Sequence, residues 1–254
     1  MLLQQKFKVV RPFQRAVRVG SYGRAAEFYD LLYAEEKDYP AEAGLLEALI
    51  RGACPSAQSV LDVGCGTGAH ARSLLDRGFR VDGIDLEPSF VEIARRKCPE
   101  GSFEVGDMTN FAVGRRYDVV TCLFSAIGYV LTEAGLHSAI HRMKAHLNPG
   151  GVLLIDPWFE PGQLTDGWVM TVSGRRPGLV VTRMSRTVVD GSVSRLEFEY
   201  LIGTPAGIER RSEVHELGIF TQAQMENAFQ AAGFTVSREP EALRTRGIYV
   251  GTVA

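Results

Sequence analysis

Between Val60 and Asp156, short apolar runs rich in valine, leucine and isoleucine alternate with segments of helical spacing. The runs are Val60-Leu-Asp-Val63, Val81-Asp-Gly-Ile-Asp85, Phe103-Glu-Val105, Tyr117 through Phe124, and Val152-Leu-Leu-Ile-Asp156. Near-continuous apolar character suits strands covered on both faces, so the alternation predicts a parallel sheet with helices on either side, an α/β fold. Ahead of it, residues 23–35 have helical spacing that Lys37-Asp-Tyr39-Pro40 interrupts, and a second helix follows with Leu45, Leu46, Leu49 and Ile50 as one apolar stripe. After Pro157 the period changes. Four strand-like runs (168–172, 179–189, 193–202 and 209–220) are separated by turn residues, and Asp190-Gly191 between two of them is a hairpin signal. This stretch reads as an antiparallel insertion lying over the ligand end of the main sheet. Thr221-Gln-Ala-Gln224 has the pattern of a capping box, opening a helix that stops at Gly233, and strand-like runs close the chain at 234–238 and 247–252. The division is a basic N-terminal arm (1–22), an α/β unit (23–160), the insertion (161–220) and a C-terminal helix with closing strands (221–254).

At 254 residues and 45% hydrophobic content, the chain suits one α/β domain with an elaboration. A net charge of −2 argues against nucleic acid as partner. The charge is uneven: Lys6, Lys8, Arg11, Arg15 and Arg18 face no acid in the first twenty residues, and the remainder carries 23 basic against 30 acidic side chains. That arm is read first as a poorly ordered terminus and second as a contact for a partner subunit or an anion, which leaves a homodimer open. Four cysteines at unrelated spacings, without clustered histidines, point to reduced thiols and to no metal site. No apolar run reaches membrane-spanning length, and the N-terminus lacks the apolar centre of a secretory signal, so a cytoplasmic protein is expected.

The candidate chemistry lies where the strands end. Val60-Leu-Asp-Val-Gly-Cys-Gly-Thr-Gly-Ala69 reads as a strand that turns on Gly64, Gly66 and Gly68 into a helix, whose free N–H groups suit an anionic ligand group such as a carboxylate. Asp85 closes the next strand at the separation expected of an acid that accepts both hydroxyls of a ribose. Asp107 followed by Met108 suits an adenine amino group and its ring face. Gly64, Gly66 and Ala69 also satisfy the looser G-x-G-x-x-A form of a dinucleotide fingerprint, so a nicotinamide enzyme stays open at this point. Taken in order, with Ser125-Ala-Ile-Gly-Tyr129 and Asn148-Pro-Gly-Gly151, the series resembles the class I S-adenosylmethionine (SAM) methyltransferases. The resemblance implies a Rossmann-like seven-stranded sheet with its last pair antiparallel. It also implies SAM as cofactor, S-adenosylhomocysteine as product, and donor contacts from Asp62, Gly64, Gly66, Gly68, Asp85, Leu86, Asp107 and Met108. Asp62 capping a turn, and Asp107 capping a helix, are the competing structural roles.

A narrower resemblance rests on Tyr29-Asp-Leu-Leu-Tyr33, Lys37-Asp-Tyr39, Phe124-Ser-Ala-Ile-Gly-Tyr129, Asp156-Pro-Trp158-Phe, Asp166-Gly-Trp168-Val, Ser185-Arg-Thr-Val and Arg246-Gly-Ile-Tyr-Val-Gly251. These resemble the N,N-dimethyltransferases that act on nucleotide-linked amino sugars in antibiotic biosynthesis, such as those of desosamine and mycaminose. The resemblance implies a small-molecule acceptor, with Tyr33 and Arg246 lining its pocket. Some relatives have histidine in place of Tyr129, and relatives often have glutamate in place of Asp156 before Pro-Trp, departures that bear on the sugar and on any histidine base at the first position. The diphosphate of such a substrate calls for Arg183, Arg186 or Arg246, and its sugar ring for an aromatic face such as Trp158. An alkylammonium must lose a proton before attack, for which Tyr129 and Asp156 are the candidate relays. The transfer itself is a one-step in-line displacement that needs alignment and no metal. Core packing competes as the role of Trp158 and Tyr129, and surface solvation as the role of each arginine. His70, His137, His141 and His146 fall in helical segments and are read as exposed or structural. His215 sits on an insertion strand, in Glu213-Val-His-Glu-Leu217, whose alternate residues could roof the pocket; core packing is the simpler reading. Another small secondary metabolite as acceptor, and a SAM-binding protein without catalysis, are the alternatives.

Overall fold

The computed structural model describes residues 26–34, 36–240, 242–243 and 246–253, so the basic arm expected at 1–22 lies outside the described residues. The elements are α1 (Ala26–Tyr33), α2 (Tyr39–Ala53), β1 (Ser59–Val63), α3 (Ala69–Leu75), β2 (Arg80–Asp85), α4 (Pro88–Lys97), β3 (Phe103–Val105) and β4 (Tyr117–Cys122). A 3₁₀ turn (Ala126–Val130) leads to α5 (Glu133–Ala145) and β5 (Leu147–Ile155). Four strands follow: β6 (Val169–Arg176), β7 (Leu179–Asp190), β8 (Val193–Thr204) and β9 (Gly207–Gly218). The chain closes with α6 (Gln222–Ala231), β10 (Thr235–Glu239) and β11 (Ile248–Thr252).

Seven strands form one sheet in the order β10-β11-β5-β4-β1-β2-β3. The pairs from β5 through β3 are parallel, and β11 runs antiparallel to both of its neighbours. Because successive side chains on a strand point to opposite faces, each strand feeds two cores. Leu61, Val63, Val120, Cys122, Leu153 and Ile155 pack with Leu136 and Ile140 of α5 and Met225 and Phe229 of α6. Val60, Val119, Val152 and Leu154 pack on the other side with Leu46, Ile50, Leu74, Val91 and Ala94 of α2, α3 and α4. The order of strands reverses between β1 and β4. Such a switch opens a crevice beyond the carboxyl ends of the strands.

The insertion is a separate antiparallel sheet, β6-β7-β8-β9, with Asp190 and Gly191 at the β7–β8 turn. Its inner face meets α1, where Phe28 and Leu32 pack with Val181, Phe198, Tyr200 and Ile202. Thr221 and Gln224 form the expected capping box at the start of α6, and Gly233 leaves the helix with φ of 80°. One element departs from the pattern: Leu45 is half exposed rather than part of the buried stripe of α2, because Ala43, Leu46 and Ile50 already fill the face turned to the sheet.

Candidate functional site

At the carboxyl ends of β1, β2 and β4 lies a cavity of about 370 Å³. Six of the residues expected to meet the donor line it: Gly64, Gly66, Asp85, Leu86, Asp107 and Met108. The turn after β1 is shaped by what it must clear. A Cβ at Gly64 would stand 2.6 Å from the Cβ of Ala126, so glycine allows the 3₁₀ turn to close against β1. Gly66, at φ of 54°, would direct a Cβ into open space. Its N–H donates to Asp85 Oδ2 at 2.8 Å, and the N–H of Glu87 donates to Asp85 Oδ1 at 2.8 Å. Burial pushes the Asp85 carboxyl up to about 6, although those two hydrogen bonds favour its ionised form. Asp107 Oδ1 accepts from the N–H and the hydroxyl of Thr109, at 2.8 and 2.7 Å, which fixes its side chain at the rim. No helix begins here, so in place of the helix-capping role weighed for Asp107 its side chain caps a turn, alongside its position on the cavity wall.

Two expected donor residues stand elsewhere. Gly68 does not line the cavity: a Cβ there would meet Ala94 Cβ at 3.1 Å and Cα at 3.2 Å, so this glycine lets α3 pack against α4. Asp62 is buried behind the wall and accepts from the Thr121 hydroxyl at 2.8 Å, and burial raises its pKa.

Aromatic rings close the opposite side. Tyr29 lines the cavity, packing on Tyr33 (4.7 Å between ring centroids), on Phe90 (5.1 Å) and on Phe124 (6.4 Å). Tyr129 completes that wall from the 3₁₀ turn. Phe124 and Ser125 enter this turn at φ of 51° and 61°, and Leu131 leaves it at 61°. Such conformations cost about 1–3 kcal/mol each for residues with a Cβ and persist only where neighbours enforce them. The Ser125 hydroxyl donates to the carbonyl of Pro157 at 2.8 Å, which ties the turn to the end of β5.

Of the other residues expected on the acceptor side, Asp156 and Arg183 are buried, Tyr33, Trp158 and Arg246 are half-buried, and none of these five lines the cavity. Asp156, at the end of β5, is 2% exposed; its Oδ1 lies 3.8 Å from Arg246 Nε and has no hydrogen-bond partner among the described residues. Burial pushes its carboxyl up to about 6, opposed by the nearby Arg246, Lys37 and His70. The Arg246 guanidinium stands over the rings of Phe159 (5.1 Å) and Trp158 (5.6 Å), and Trp158 Nε1 donates to Ser194 Oγ at 2.8 Å. Arg183 is buried, donates to the Tyr33 hydroxyl at 2.9 Å, and lies over Phe198. Arg186, by contrast, is exposed and paired with Glu197 on the outer face. His215 is fully buried on β9, with Nδ1 3.1 Å from the Tyr129 hydroxyl, and so reaches the cavity wall through Tyr129.

Sequence reasoning passed over a buried ionic chain beside Asp156. Lys37 pairs with Glu42 at 2.7 Å, and Glu42 meets His70 Nε2 at 2.8 Å. Burial opposes the charge on Glu42, yet hydrogen bonds from His70 and Lys37 hold its carboxyl below the ordinary value. Nothing in the spacing of residues 37, 42 and 70 links them. Tyr29, in contrast, stands four residues before Tyr33 on α1, a spacing that places both on one helix face. His146 is also buried, stacked on Phe111 and bonded to the carbonyl of Arg142. Among the described residues, no group of three or more His, Cys, Asp or Glu side chains could hold a metal ion, and no helix is long and apolar enough to cross a membrane.

A methyltransferase-domain family model matches residues 60–151. The chain is 41% identical over 231 residues to dTDP-3-amino-3,6-dideoxy-alpha-D-glucopyranose N,N-dimethyltransferase of Streptomyces fradiae, covering 90% of this chain and 91% of the relative. It is 37% identical to dTDP-3-amino-3,4,6-trideoxy-alpha-D-glucopyranose N,N-dimethyltransferase of Streptomyces venezuelae, covering 90% and 98%. The crystal structure of Streptomyces venezuelae DesVI matches with a TM-score of 0.85 at 37% identity, covering 91% of this chain and 98% of that one. SAM-bound CalS10, an amino pentose methyltransferase from Micromonospora echinaspora involved in calicheamicin biosynthesis, matches with a TM-score of 0.81 at 39% identity, covering 89% and 96%. The fold, with its added antiparallel sheet, therefore matches that of known enzymes, and the chain belongs to the class I methyltransferases, in the family of the dTDP-amino-sugar N,N-dimethyltransferases.

Proposed function

We propose that this protein transfers methyl groups from SAM to the amine of a nucleotide-linked amino sugar, twice on the same nitrogen. The observation that carries the reading is one cavity with two chemistries around it. Backbone turns and acids at the strand ends lie on one side and Tyr29, Phe124 and Tyr129 on the other; Asp156, Arg183 and Arg246 stand outside this lining, the first two buried and Arg246 beside Asp156. SAM fits the first side: Gly66 leaves room where a side chain would stand, and Leu86, Phe90 and Met108 give apolar walls to a ring system.

SAM supplies a methyl group activated by the positive sulfur that carries it. The protein's residues bind and align. Gly64 and Gly66 let the backbone pass close to the methionine portion. Asp85 accepts from the ribose hydroxyls with the lone pairs left by Gly66 and Glu87, and Asp107 accepts from the adenine amino group through Oδ2. Asp156 holds the ammonium of the acceptor, its free oxygen giving a buried site for a cation. Arg183 and Arg246 take the diphosphate, and the face of Trp158 takes the sugar. Tyr129 accepts the proton that the amine must lose. Alignment and exclusion of water then account for the acceleration, as expected of a displacement on an activated methyl.

The test is mass spectrometry after incubation with SAM and a panel of dTDP-linked amino sugars, with hydroxyl-bearing analogues as controls. Two added methyl groups on amine-bearing sugars alone are expected. Methylated hydroxyl controls, or no product despite SAM binding, would overturn the amino-sugar assignment.

A further inference from the structure

The inner face of the insertion is unusually polar for a covered surface. Arg183, Ser185 and Thr187 on β7, Ser194 on β8, and Glu213 and His215 on β9 are all buried where apolar side chains would ordinarily close a core. Within this layer His215 is held from both ends. Its Nδ1 lies 3.1 Å from the Tyr129 hydroxyl and its Nε2 lies 3.5 Å from Glu213 Oε2, which also accepts from the Tyr200 hydroxyl at 3.1 Å. Phe198, directly opposite Glu213 on β8, packs against the imidazole with ring centroids 5.0 Å apart. Arg183 on β7 lies over the other ring of this packing, 4.4 Å from the Phe198 centroid. Among the described residues, the titratable and charged groups around His215 include Glu213 on its own strand, Tyr200 on β8, Arg183 on β7 and Tyr129 on the 3₁₀ turn.

The hydrogen bonds fix direction. An ionised carboxylate only accepts, so Nε2 of His215 carries the hydrogen toward Glu213 and Nδ1 is left as the acceptor of the Tyr129 O–H. With its hydrogen turned away, Tyr129 presents oxygen lone pairs to the cavity. We infer that His215 is a positioning and proton-holding residue for the methyl-transfer reaction, acting through Tyr129. The inference rests on the amino-sugar reading. The ammonium N–H bond of the acceptor breaks as an O–H bond forms on Tyr129, and the original phenolic O–H breaks as an N–H forms on His215 Nδ1. The electron pair stays on the amine, which becomes the nucleophile. The resulting imidazolium is stabilised by the Glu213 carboxylate until the products leave and the proton passes to solvent. Tyr129 ends each turnover neutral.

The experiment uses the full chain and two variants, His215→Asn and Tyr129→Phe. Asparagine keeps an acceptor near the position of Nδ1 but cannot hold a proton. Its kcat should fall about 100-fold at neutral pH, with KM for both substrates within about threefold of the parent. The deficit should shrink as pH rises toward the pKa of the amine, because amine deprotonated in bulk solvent no longer needs the relay. Tyr129→Phe should show the same profile, and the double variant should lose little more. Parent-like kcat and pH dependence in His215→Asn would overturn the relay. Nitrogen-15 NMR of the histidine rings gives a readout independent of turnover. An unprotonated Nδ1 on His215 that shifts in Tyr129→Phe is expected, whereas a protonated Nδ1 in the parent overturns the inference. If the parent methylates no amine on any sugar, the functional reading fails on its own, and the NMR result still decides the hydrogen-bond direction.

Discussion

Gly64, Gly66, Asp85 and Asp107 all follow or close strands at one end of the parallel part of one sheet, and their polar contacts are with residues a few positions away or on the adjoining strand. Tyr33 of α1 and Arg183 of β7 meet where the insertion packs on α1, and Asp156 and Arg246 meet where the chain leaves β5 and approaches β11, so each pair joins residues about 90 or more positions apart. The donor side is therefore assembled by local backbone geometry, and the acceptor side by tertiary packing of buried charged groups. Damage to the first should show as lost donor affinity. Damage to the second should show as lost acceptor recognition and altered pH dependence.

The strongest way to break this division is Asp85→Ala. On the proposed reading Asp85 accepts from both ribose hydroxyls, and loss of such a carboxylate removes about 3 kcal/mol or more. It also frees the N–H groups of Gly66 and Glu87. SAM affinity by calorimetry should fall at least about 100-fold, and the rise in melting temperature on adding S-adenosylhomocysteine should disappear. Nicotinamide nucleotides should give no such rise with the parent. Unchanged SAM affinity in the variant would mean that Asp85 serves the turn alone.

On the other side, Arg183→Met keeps the packing length over Phe198 and Tyr33 and removes the charge. KM for the nucleotide sugar should rise about 10- to 100-fold, the worth of one charge-assisted hydrogen bond to phosphate. SAM affinity should change less than about twofold. If donor and acceptor binding weaken together, the two sides are not separable and Arg183 acts by holding α1 through Tyr33.

What could be read in the sequence follows the same line. Strand, glycine turn and acid are contiguous, so the order of β1, β2 and β4 and the cavity-lining residues on them were legible from residues 60–130. The antiparallel insertion was legible too, since its turn residues and alternation are local signals. The aromatic wall was half visible through the i,i+4 pair Tyr29 and Tyr33. The ionic chain of Lys37, Glu42 and His70 was not, because the loop before α2, α2 itself and α3 bring those residues together, and no spacing encodes that meeting. Gly68, expected beside the donor, packs against Ala94 of α4, which the sequence does not show for a related reason. In a run of three glycines, sequence shows where side chains are absent but not what fills each place.

Asp156 offers a finer test through pH. Burial lifts its carboxyl from an ordinary 3.8 to about 6, so the folded protein holds this proton more tightly than the unfolded chain does. Between about pH 4 and pH 6 the folded state is the one that binds more protons, and stability therefore falls as pH rises through that window. The full penalty is present above it. Asp156→Asn removes the group from this balance. Unfolding of the free protein should show a flatter dependence between pH 4 and 6, with the variant more stable than the parent at pH 8 by an amount on the order of 2 kcal/mol. Methyl transfer should slow at the same time, since the buried acceptor for the ammonium is gone. A variant as fast as the parent, or one less stable at pH 8, would mean that Arg246 already satisfies this carboxylate.

The smallest effect separates the glycines. Gly68 has φ of 76° and faces Ala94 across the α3–α4 contact, so Gly68→Ala is strained twice, by its backbone conformation and by a Cβ placed 3.1 Å from that of Ala94. Denaturant unfolding should show a loss of about 1–2 kcal/mol. SAM affinity of the folded variant should stay within about twofold of the parent, because the added methyl points into the helix contact rather than the cavity. Gly66→Ala makes the informative contrast. It shares the positive φ, yet its Cβ meets nothing within 4 Å and projects toward the space assigned to the donor. Its stability cost should come from φ alone, with a larger fall in SAM affinity. If the two variants lost affinity equally, α3 and its contact with α4 would have to be counted as part of the donor side, and the boundary between backbone-built and packing-built halves would move there.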